Sequence, residues 1–259
     1  MNGRLFKLAA AGVLAALIWG FFVEPRSIEI TELRLNGIRS SSQTLAVISD
    51  LHLDGLGYRE RKLLETLEQR QPDIVILLGD VVDGPDDLPD LERFLIALPS
   101  SQRIAIFGNW EYWGGIDHDA LRSVYAKHGV RLLVNDCHAG IVGLDDSTAG
   151  EPDLEVALAR CRSAAPDVSP FLVLQHSPGF FETTTVDPAK FPLNLAGHTH
   201  GGQIAIFGFA PWTPPGSGSF VAGEYSTRFG QLYVTRGVGM SMIPMRIGAK
   251  PEIVFITTS

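Results

Sequence analysis

Seven polar side chains in this sequence are of the types that bind metal ions, and each follows a short apolar run. They are two carboxylates, four imidazoles and one amide: Asp50, His52, Asp80, Asn109, His176, His198 and His200. Carboxylate and neutral imidazole suit Mn, Fe or Zn, and all three metals accept an amide oxygen. We therefore expect two divalent ions held side by side, with Mn as the first choice.

The charge of such a centre favours an anionic substrate. Two dications outweigh the carboxylates Asp50 and Asp80, since the other five ligands are neutral. With a bridging hydroxide, a net charge of about +1 remains, which attracts a phosphate ester. Two ions roughly 3.5–4 Å apart activate the hydroxide for attack on phosphorus and stabilise the transition state. One carboxylate has to bridge the ions, and Asp80 is the candidate by its position.

Spacing also favours convergence of these residues. Asp50 and His52 are two apart at a predicted strand end, as are His198 and His200. Side chains at i and i+2 of a strand point to one face, so each pair is expected to face the same site. A single His, or a single Asp that follows a strand, more often has a structural role. Only the occurrence of seven candidate ligands, each at a predicted strand end, favours a metal site. The other histidines, His118, His128 and His138, lack this context and are interpreted as structural.

Apolar strand-like runs alternate with amphipathic stretches, which predicts an α/β fold. Helices are predicted at 58–69, 88–98, 117–128 and 152–162. Strands are predicted at 44–49, 73–78, 103–107, 132–134, 140–144, 171–174, 194–196, 204–207, 232–235 and 253–257. We expect two sheets packed face to face, with the candidate ligands in loops after the carboxyl ends of strands.

The N-terminus carries a separate hydrophobic segment, because every residue from 8 to 23 is apolar or Gly. The run is slightly short of the ~20 residues that span a bilayer. We interpret residues 1–24 as a retained membrane anchor, with a cleaved signal peptide or a core helix as alternatives. Basic residues before the run favour an inside N-terminus and an outside domain. Residues 25–43 are predicted as a linker or initial strand, and 44–259 as the catalytic domain.

Composition excludes one class of partner. The formal charge is −8 and no basic stripe is present, so no nucleic-acid binding is expected. The two cysteines, Cys137 and Cys161, lack CxxC spacing. Two free thiols is the favoured interpretation, and one disulfide stays open.

The motifs resemble those of the calcineurin-like metallophosphoesterases, in particular their bacterial membrane-associated branch. The family pattern of D-x-H, G-D-x-x-D, G-N-H-[DE], a strand-end H and G-H-x-H corresponds here to SDLHLD, GDVVDG, GNWEYW, QHSP and GHTHGGQ. The resemblance extends from about residue 46 to the C-terminus. It implies a four-layer αββα sandwich of two mixed sheets flanked by helices. It also implies a location at the bacterial inner membrane, with the side of the membrane left open.

The resemblance further implies how the ligands are shared. The first metal would be held by Asp50, His52, Asp80 and His200, and the second by Asp80, Asn109, His176 and His198. The catalytic residues would be Asp50, Asp80, Asn109 and His176. Asp83 would steady a ligand through a hydrogen bond.

One departure from the family pattern bears on the substrate. The family's G-N-H histidine, which assists the leaving group or stabilises the transition state, is Trp110 here, and an indole supplies no proton. Glu111, which normally orients that histidine, is expected to be left without it. General-acid help is typically worth ~10²–10⁴-fold, so a substrate with a good leaving group is expected.

A phosphodiester or pyrophosphate fits that expectation. A family branch that cleaves UDP-2,3-diacylglucosamine in lipid A biosynthesis also lacks the histidine, with arginine in its place, and such a lipid-linked substrate would suit the anchor. The alternative function is a catalytically silent member that binds metal and phosphate for regulation or scaffolding.

Aromatic side chains cluster near the predicted site and the proline-rich loop 210–219. They are Trp110, Tyr112, Trp113, Phe207, Phe209, Trp212 and Phe220. They either line a lipid groove or dock on the membrane, or they pack in core and loops, and packing is the favoured interpretation.

Overall fold

The computed structural model describes residues 3–38, 42–99, 102–186, 190–206 and 208–259, with the backbone alone for residues 3–5. Position 207, one of the predicted aromatic residues, lies outside these ranges. Two six-stranded sheets form the centre of the described protein.

The first sheet has the strand order β1-β12-β2-β3-β4-β5. Its strands are β1 Glu29–Leu35, β2 Gln43–Ile48, β3 Ile74–Leu78, β4 Gln102–Ile106, β5 Val130–Leu132 and β12 Glu252–Thr258. Strands β2 to β5 are parallel, while β12 is antiparallel to β2 and parallel to β1. The parallel strands end at one edge, where three of the ligand-bearing loops follow them.

The second sheet has the order β10-β11-β9-β8-β7-β6. Its strands are β6 Asp136–His138, β7 Ile141–Gly143, β8 Leu172–Leu174, β9 Phe191–Ala196, β10 Gly223–Thr227 and β11 Gly230–Val234. Strands β7, β8, β9 and β11 are parallel, and antiparallel hairpins close both edges. The sheet is mixed, as the resemblance implied.

Helices cover the outer faces of both sheets. They are α2 Tyr58–Arg70, α3 Leu88–Ala97, α4 Trp110–Trp113, α5 His118–Lys127, α6 Leu154–Ala164 and α7 Phe180–Thr183. Two of them begin at a capping aspartate: Asp117 accepts from the backbone at the start of α5, and Asp153 does so at α6.

Successive side chains of a strand point to opposite faces of the sheet, so they pack in separate apolar cores. In β2, Leu45 and Val47 pack between the two sheets, while Ala46 and Ile48 pack under helices on the opposite face. A third apolar cluster lies under α6 and α7 on the far side of the second sheet. This arrangement of helix, sheet, sheet and helix confirms the αββα sandwich.

The predicted strand at 204–207 is wrong. Ile204 and Ile206 form only isolated bridges, to Ile247 and Phe209. The prediction missed β6 and β10, because β6 is three residues long and β10 alternates exposed with half-buried residues at a sheet edge. Strand β1 lies inside the range 25–43, and the predicted domain boundaries stay a prediction.

The favoured interpretation of the cysteines is also wrong. Cys137 on β6 and Cys161 on α6 form a disulfide, with their Cα atoms 5.1 Å apart. The spacing of 24 residues gave no sign of this, because the two are brought together only when α6 packs on β6.

The N-terminal hydrophobic segment is helical and projects from the domain. It consists of α1 Gly3–Ile18, a π turn Trp19–Val23 and a 3-10 turn Glu24–Arg26. The stretch Phe6–Arg26 is long and apolar enough to cross a bilayer, with a mean hydropathy of 2.0, and almost none of it is buried. That exposure does not fit a core helix, whereas an anchor and a signal sequence share these properties.

Candidate metal centre

All seven predicted ligands lie in loops that follow parallel strands. Asp50 and His52 follow β2, and Asp80 and Asn109 follow β3 and β4. From the second sheet, His176 follows β8, and the pair His198 and His200 follows β9. The carboxyl ends of both sheets therefore meet at one point, and all seven side chains are buried there.

The ligand atoms form two adjacent groups. Asp50, His52 and His200 make one group, and Asp80, His176 and His198 make the other; the donor atoms of each lie within 4.8 Å of one another.

One carboxylate lies between the two groups. Asp80 Oδ2 is 3.0 Å from His176 Nε2 in its own group and 4.0 Å from His52 Nε2 in the other. This is the position that a bridging carboxylate needs.

The donor set fits two divalent ions. Asn109 Oδ1 is buried and forms no hydrogen bond within the described residues. Leaving a buried polar atom unpaired costs about 1–3 kcal/mol, which a bound ion would offset. Carboxylate, imidazole and amide donors suit Mn, Fe and Zn alike, so the groups fit a dinuclear centre without selecting its metal.

Hydrogen bonds on the far side of three rings fix which nitrogen faces the centre. His176 Nδ1 donates to the carbonyl of Leu78 at 2.7 Å, and His198 Nε2 donates to that of Pro215 at 2.8 Å. His52 Nδ1 lies 2.5 Å from Asp83 Oδ1. Such partners hold the orientation and tautomer of a metal-binding imidazole. Asp83 therefore contacts the candidate ligand His52, and its role in steadying that ligand stays a prediction.

The backbone at the site differs from the expectation of continuing strands. Positive φ angles occur at five of the seven ligands: Asp50, His52, Asp80, His198 and His200. The i and i+2 pairs therefore face the site through left-handed turns after the strands have ended, and the strand-pleat explanation is wrong. Non-glycine residues adopt this conformation rarely, and such strain concentrates at functional sites.

Glu111, which is left without the family's histidine as expected, has backbone partners instead. Its carboxylate turns inward and accepts from the backbone N–H groups of Asp80 at 3.0 Å, Gly108 at 2.8 Å and Val81 at 2.7 Å. Two ligand loops are thereby tied to one buried side chain. Burial and the nearby Asp80 charge raise the pKa of Glu111 to about 7.

Burial and the attraction between carboxylates and imidazoles both shift pKa values at the site. Burial acts to raise the pKa of Asp80, yet the attraction of His176 prevails and lowers that pKa to about 2. Burial acts to lower the pKa of His176, but Asp80 raises it well above its ordinary value. Burial also lowers the pKa of His200 far below its ordinary value, and His52 adds to the effect.

A cavity of about 710 Å³ opens over the centre. Trp110 forms part of its wall; its backbone N–H donates to Asp80 Oδ1 at 2.8 Å, and its ring meets His52 edge-on at 6.0 Å. The imidazoles among the described lining residues are His198 and His200, both candidate ligands. No further histidine therefore supplies the missing general acid there.

Some of the predicted aromatic residues line the cavity, as a lipid groove would require, and others pack in the core. Trp110, Trp113 and Trp212 line the cavity. Tyr112 instead packs against Phe107, and Phe220 is buried against Tyr225. Phe209 is exposed, two residues before the lining residue Pro211.

Sequence analysis missed Arg246, which is fully buried behind His200. Its guanidinium donates to the carbonyls of His200 at 3.3 Å, Ala249 at 2.9 Å and Gly239 at 2.9 Å. Burial lowers the pKa of Arg246 to about 9. A lone arginine in a glycine-rich tail has no periodic context, so the sequence carried no signal for this role.

Two mixed sheets whose loops bring two groups of candidate metal ligands together are consistent with a dinuclear metal centre. The sequence model described as calcineurin-like phosphoesterase matches residues 43–202. The chain therefore belongs to the calcineurin-like phosphoesterase family, as the motifs predicted, and is a metal-dependent phosphoesterase.

Relatives carry names of the same class. The chain is 30% identical to the uncharacterized metallophosphoesterase YkuE of Bacillus subtilis (strain 168), over 99% of this chain and 95% of that protein. It is 26% identical to YkoQ of the same organism, over 80% of each chain. Among solved structures it resembles TT1561 of Thermus thermophilus, with 13% identity, 76% of this chain and 91% of that one covered, and a TM-score of 0.45.

Proposed function

We propose that this protein is a membrane-anchored phosphodiesterase or pyrophosphatase, and that its physiological metal is Mn. Two divalent ions at the site would activate water and bind the phosphate oxygens. Asp80 would hold both ions, because its Oδ2 lies between the two ligand groups. Asp50, Asn109 and His176 complete the predicted catalytic set.

The leaving group is the feature of the substrate that the site addresses most directly. Trp110 stands where an imidazole would assist departure, and the described cavity wall offers no other histidine outside the ligand set. A leaving group of low pKa, such as a phosphate, departs without a proton. This supports a pyrophosphate or an activated diester as the substrate.

The disulfide supports a domain outside the cytoplasm. Disulfides persist in oxidising compartments and are rare in the cytosol, and Cys137 is bonded to Cys161. The basic residues before the hydrophobic segment favour the same orientation. The specific candidate UDP-2,3-diacylglucosamine is made on the cytoplasmic side, so an outside domain favours another lipid-linked phosphate over it.

Hydrolysis of a generic substrate tests the proposed activity. The full-length protein with Mn²⁺ is expected to hydrolyse bis-p-nitrophenyl phosphate, and Asp80→Asn is expected to lower kcat at least ~10³-fold because it replaces the central carboxylate with a neutral amide. Asp86→Asn, an exposed acid on the same connection, is the matched control. Bound Mn²⁺ without turnover of any activated ester would instead support the silent alternative.

Two further comparisons test the location and the substrate. A C-terminal reporter of the kind that works only outside the cytoplasm is expected to be active when fused to the full-length chain. UDP-2,3-diacylglucosamine assayed beside generic diesters is expected to show no advantage in kcat/KM. A strong preference for the nucleotide lipid, with a silent reporter, would contradict the proposed orientation.

A further inference from the structure

The wall of the cavity over the metal centre is predominantly apolar. Its apolar lining consists of Trp110, Trp113, Ile204, Pro211, Trp212, Pro214, Pro215, Met242 and Ile243. The described lining contains no Lys or Arg. A site for a small polar phosphate would normally contact that phosphate's other substituents with polar groups. Here the candidate metal ligands form the polar floor, and the wall above them is mostly apolar, with Thr199, Gln203 and Ser241 as its other polar lining residues.

The mouth of this cavity exposes large apolar side chains to solvent. Trp212 is 60% exposed, Met242 86% and Ile243 48%. Ile206 and Phe209, which exchange backbone hydrogen bonds at 2.9 and 3.0 Å, are also exposed nearby in sequence to the lining residue Ile204. Large exposed apolar side chains gathered at a cavity mouth are typical of an interaction site or a membrane contact.

The same loop that lines the cavity also holds the end of the hydrophobic helix. The backbone N–H of Arg246 donates to the carbonyl of Gly20 at 3.0 Å, and that of Ala249 donates to Glu24 Oε1 at 2.9 Å. A Cβ at Gly20 would lie 2.9 Å from Met245 and 2.8 Å from Ile247, so helix and loop are in close contact. Only two residues separate Ile243, at the mouth, from Arg246.

We propose that this cavity binds an acyl chain of a membrane lipid phosphate, which enters from the bilayer through the mouth formed by Trp212, Met242 and Ile243. The occupant is a bilayer lipid because the mouth is continuous with the loop that seats the hydrophobic helix. When that helix lies in a membrane, the mouth lies at its surface. The proposal rests on the proposed phosphoesterase function and specifies its substrate class.

A homologous series of soluble substrates tests the acyl-chain site. Methyl, butyl, hexyl and octyl p-nitrophenyl phosphate diesters share one leaving group and can be assayed below their micelle concentrations. Burial of a methylene contributes ~0.8 kcal/mol, which corresponds to at most about fourfold in KM for each added carbon. We expect KM to fall along the series at nearly constant kcat. A KM independent of chain length would overturn the proposal.

Variants at the mouth test which residues cause the dependence of KM on alkyl chain length. In the double variant Met242→Ser, Ile243→Ser, the dependence of log KM on chain length is expected to fall to half or less of its wild-type slope. Ile96→Ser is the matched control, because Ile96 on α3 is 69% exposed and outside the cavity lining. A slope unchanged in the double variant, or reduced equally in the control, would contradict the assignment.

Measuring the binding of alkyl phosphates tests the acyl-chain site independently of the proposed hydrolytic activity. Trp110, Trp113 and Trp212 line the cavity, so titration with ethyl and octyl phosphate can be followed by tryptophan fluorescence without turnover. Octyl phosphate is expected to bind at least tenfold more tightly. If no diester is hydrolysed, the proposed activity fails, while equal affinity of the two alkyl phosphates overturns the acyl-chain site by itself.

Reconstitution in vesicles tests whether the acyl chain enters the cavity from the bilayer. In full-length protein carrying Trp19→Phe, which removes the tryptophan of the hydrophobic segment, spin-labelled phospholipids are expected to quench the remaining fluorescence. That quenching should fall when Trp212→Phe is added. Quenching that is absent, or unaffected by the second change, would overturn entrance from the bilayer.

Discussion

The floor and the mouth of the active-site cavity are built in opposite ways. At the floor, Asp80 lies between two groups of buried ligands, and the rings of His52, His176 and His198 are held by hydrogen bonds on their far sides. At the mouth, the apolar side chains of Trp212, Met242 and Ile243 are exposed to solvent. A floor of this kind fixes reacting atoms, whereas an apolar mouth accepts flexible chains, since the hydrophobic effect is non-directional.

Glu111 shows how strongly the floor depends on a single buried group. Glu111→Ala leaves three buried N–H donors without an acceptor, and each costs about 1–3 kcal/mol. We expect the free energy of unfolding to fall by about 3 kcal/mol or more, measured by urea denaturation at saturating Mn²⁺.

Glu65→Ala is the matched control for this prediction. Glu65 forms an exposed pair with Lys62 at 3.4 Å, and such pairs contribute up to about 1 kcal/mol. Similar losses in the two variants would show that the backbone contacts of Glu111 have no special weight.

Arg246 connects the two regions, because its guanidinium contacts the floor and its backbone holds the hydrophobic helix. Arg246→Lys keeps the charge but loses most of the bonds to buried carbonyls. We expect about 2 kcal/mol of destabilisation and weaker Mn²⁺ binding by calorimetry, since His200 loses its support. If the variant is destabilised but its Mn²⁺ affinity is unaltered, Arg246 contributes to the stability of the fold and not to metal binding.

Trp110 lies between the floor and the mouth, and Trp110→His tests whether a histidine there assists the leaving group. An imidazole in this position can protonate an alkoxide, so turnover of dialkyl diesters is expected to rise about 10–100-fold. Turnover of p-nitrophenyl diesters should change far less. Trp113→His, one helical turn away, is the control. Equal gains for both substrate types would refute the leaving-group argument.

Met242→Ser is expected to have the smallest effect on folding. Because Met242 is exposed, the free energy of unfolding should change by no more than ~0.5 kcal/mol, checked by thermal and urea denaturation. A large loss would show that the mouth is part of the folded core and would remove the contrast between the two regions.

The sequence alone determined the fold class and the identity of the candidate ligands. Apolar runs such as 73–78 predicted buried strands because burial leaves a local pattern, and the helices at 58–69 and 117–128 followed from their periodicity. The metal-binding types are chemically restricted, so Asp80 and His176 were recognisable before any contact was known. Their roles as ligands and catalytic groups stay predictions that the metal and kinetic experiments address.

Tertiary structure decided what depends on distant segments meeting. The disulfide Cys137–Cys161, the inward turn of Glu111 and the burial of Arg246 leave no periodic trace, because each partner lies in another element. The same holds for the apolar wall, where the proline-rich loop joins the 241–249 loop over the metal centre. A sequence records which residues avoid water or suit an ion, but only the packed chain settles which of them become neighbours.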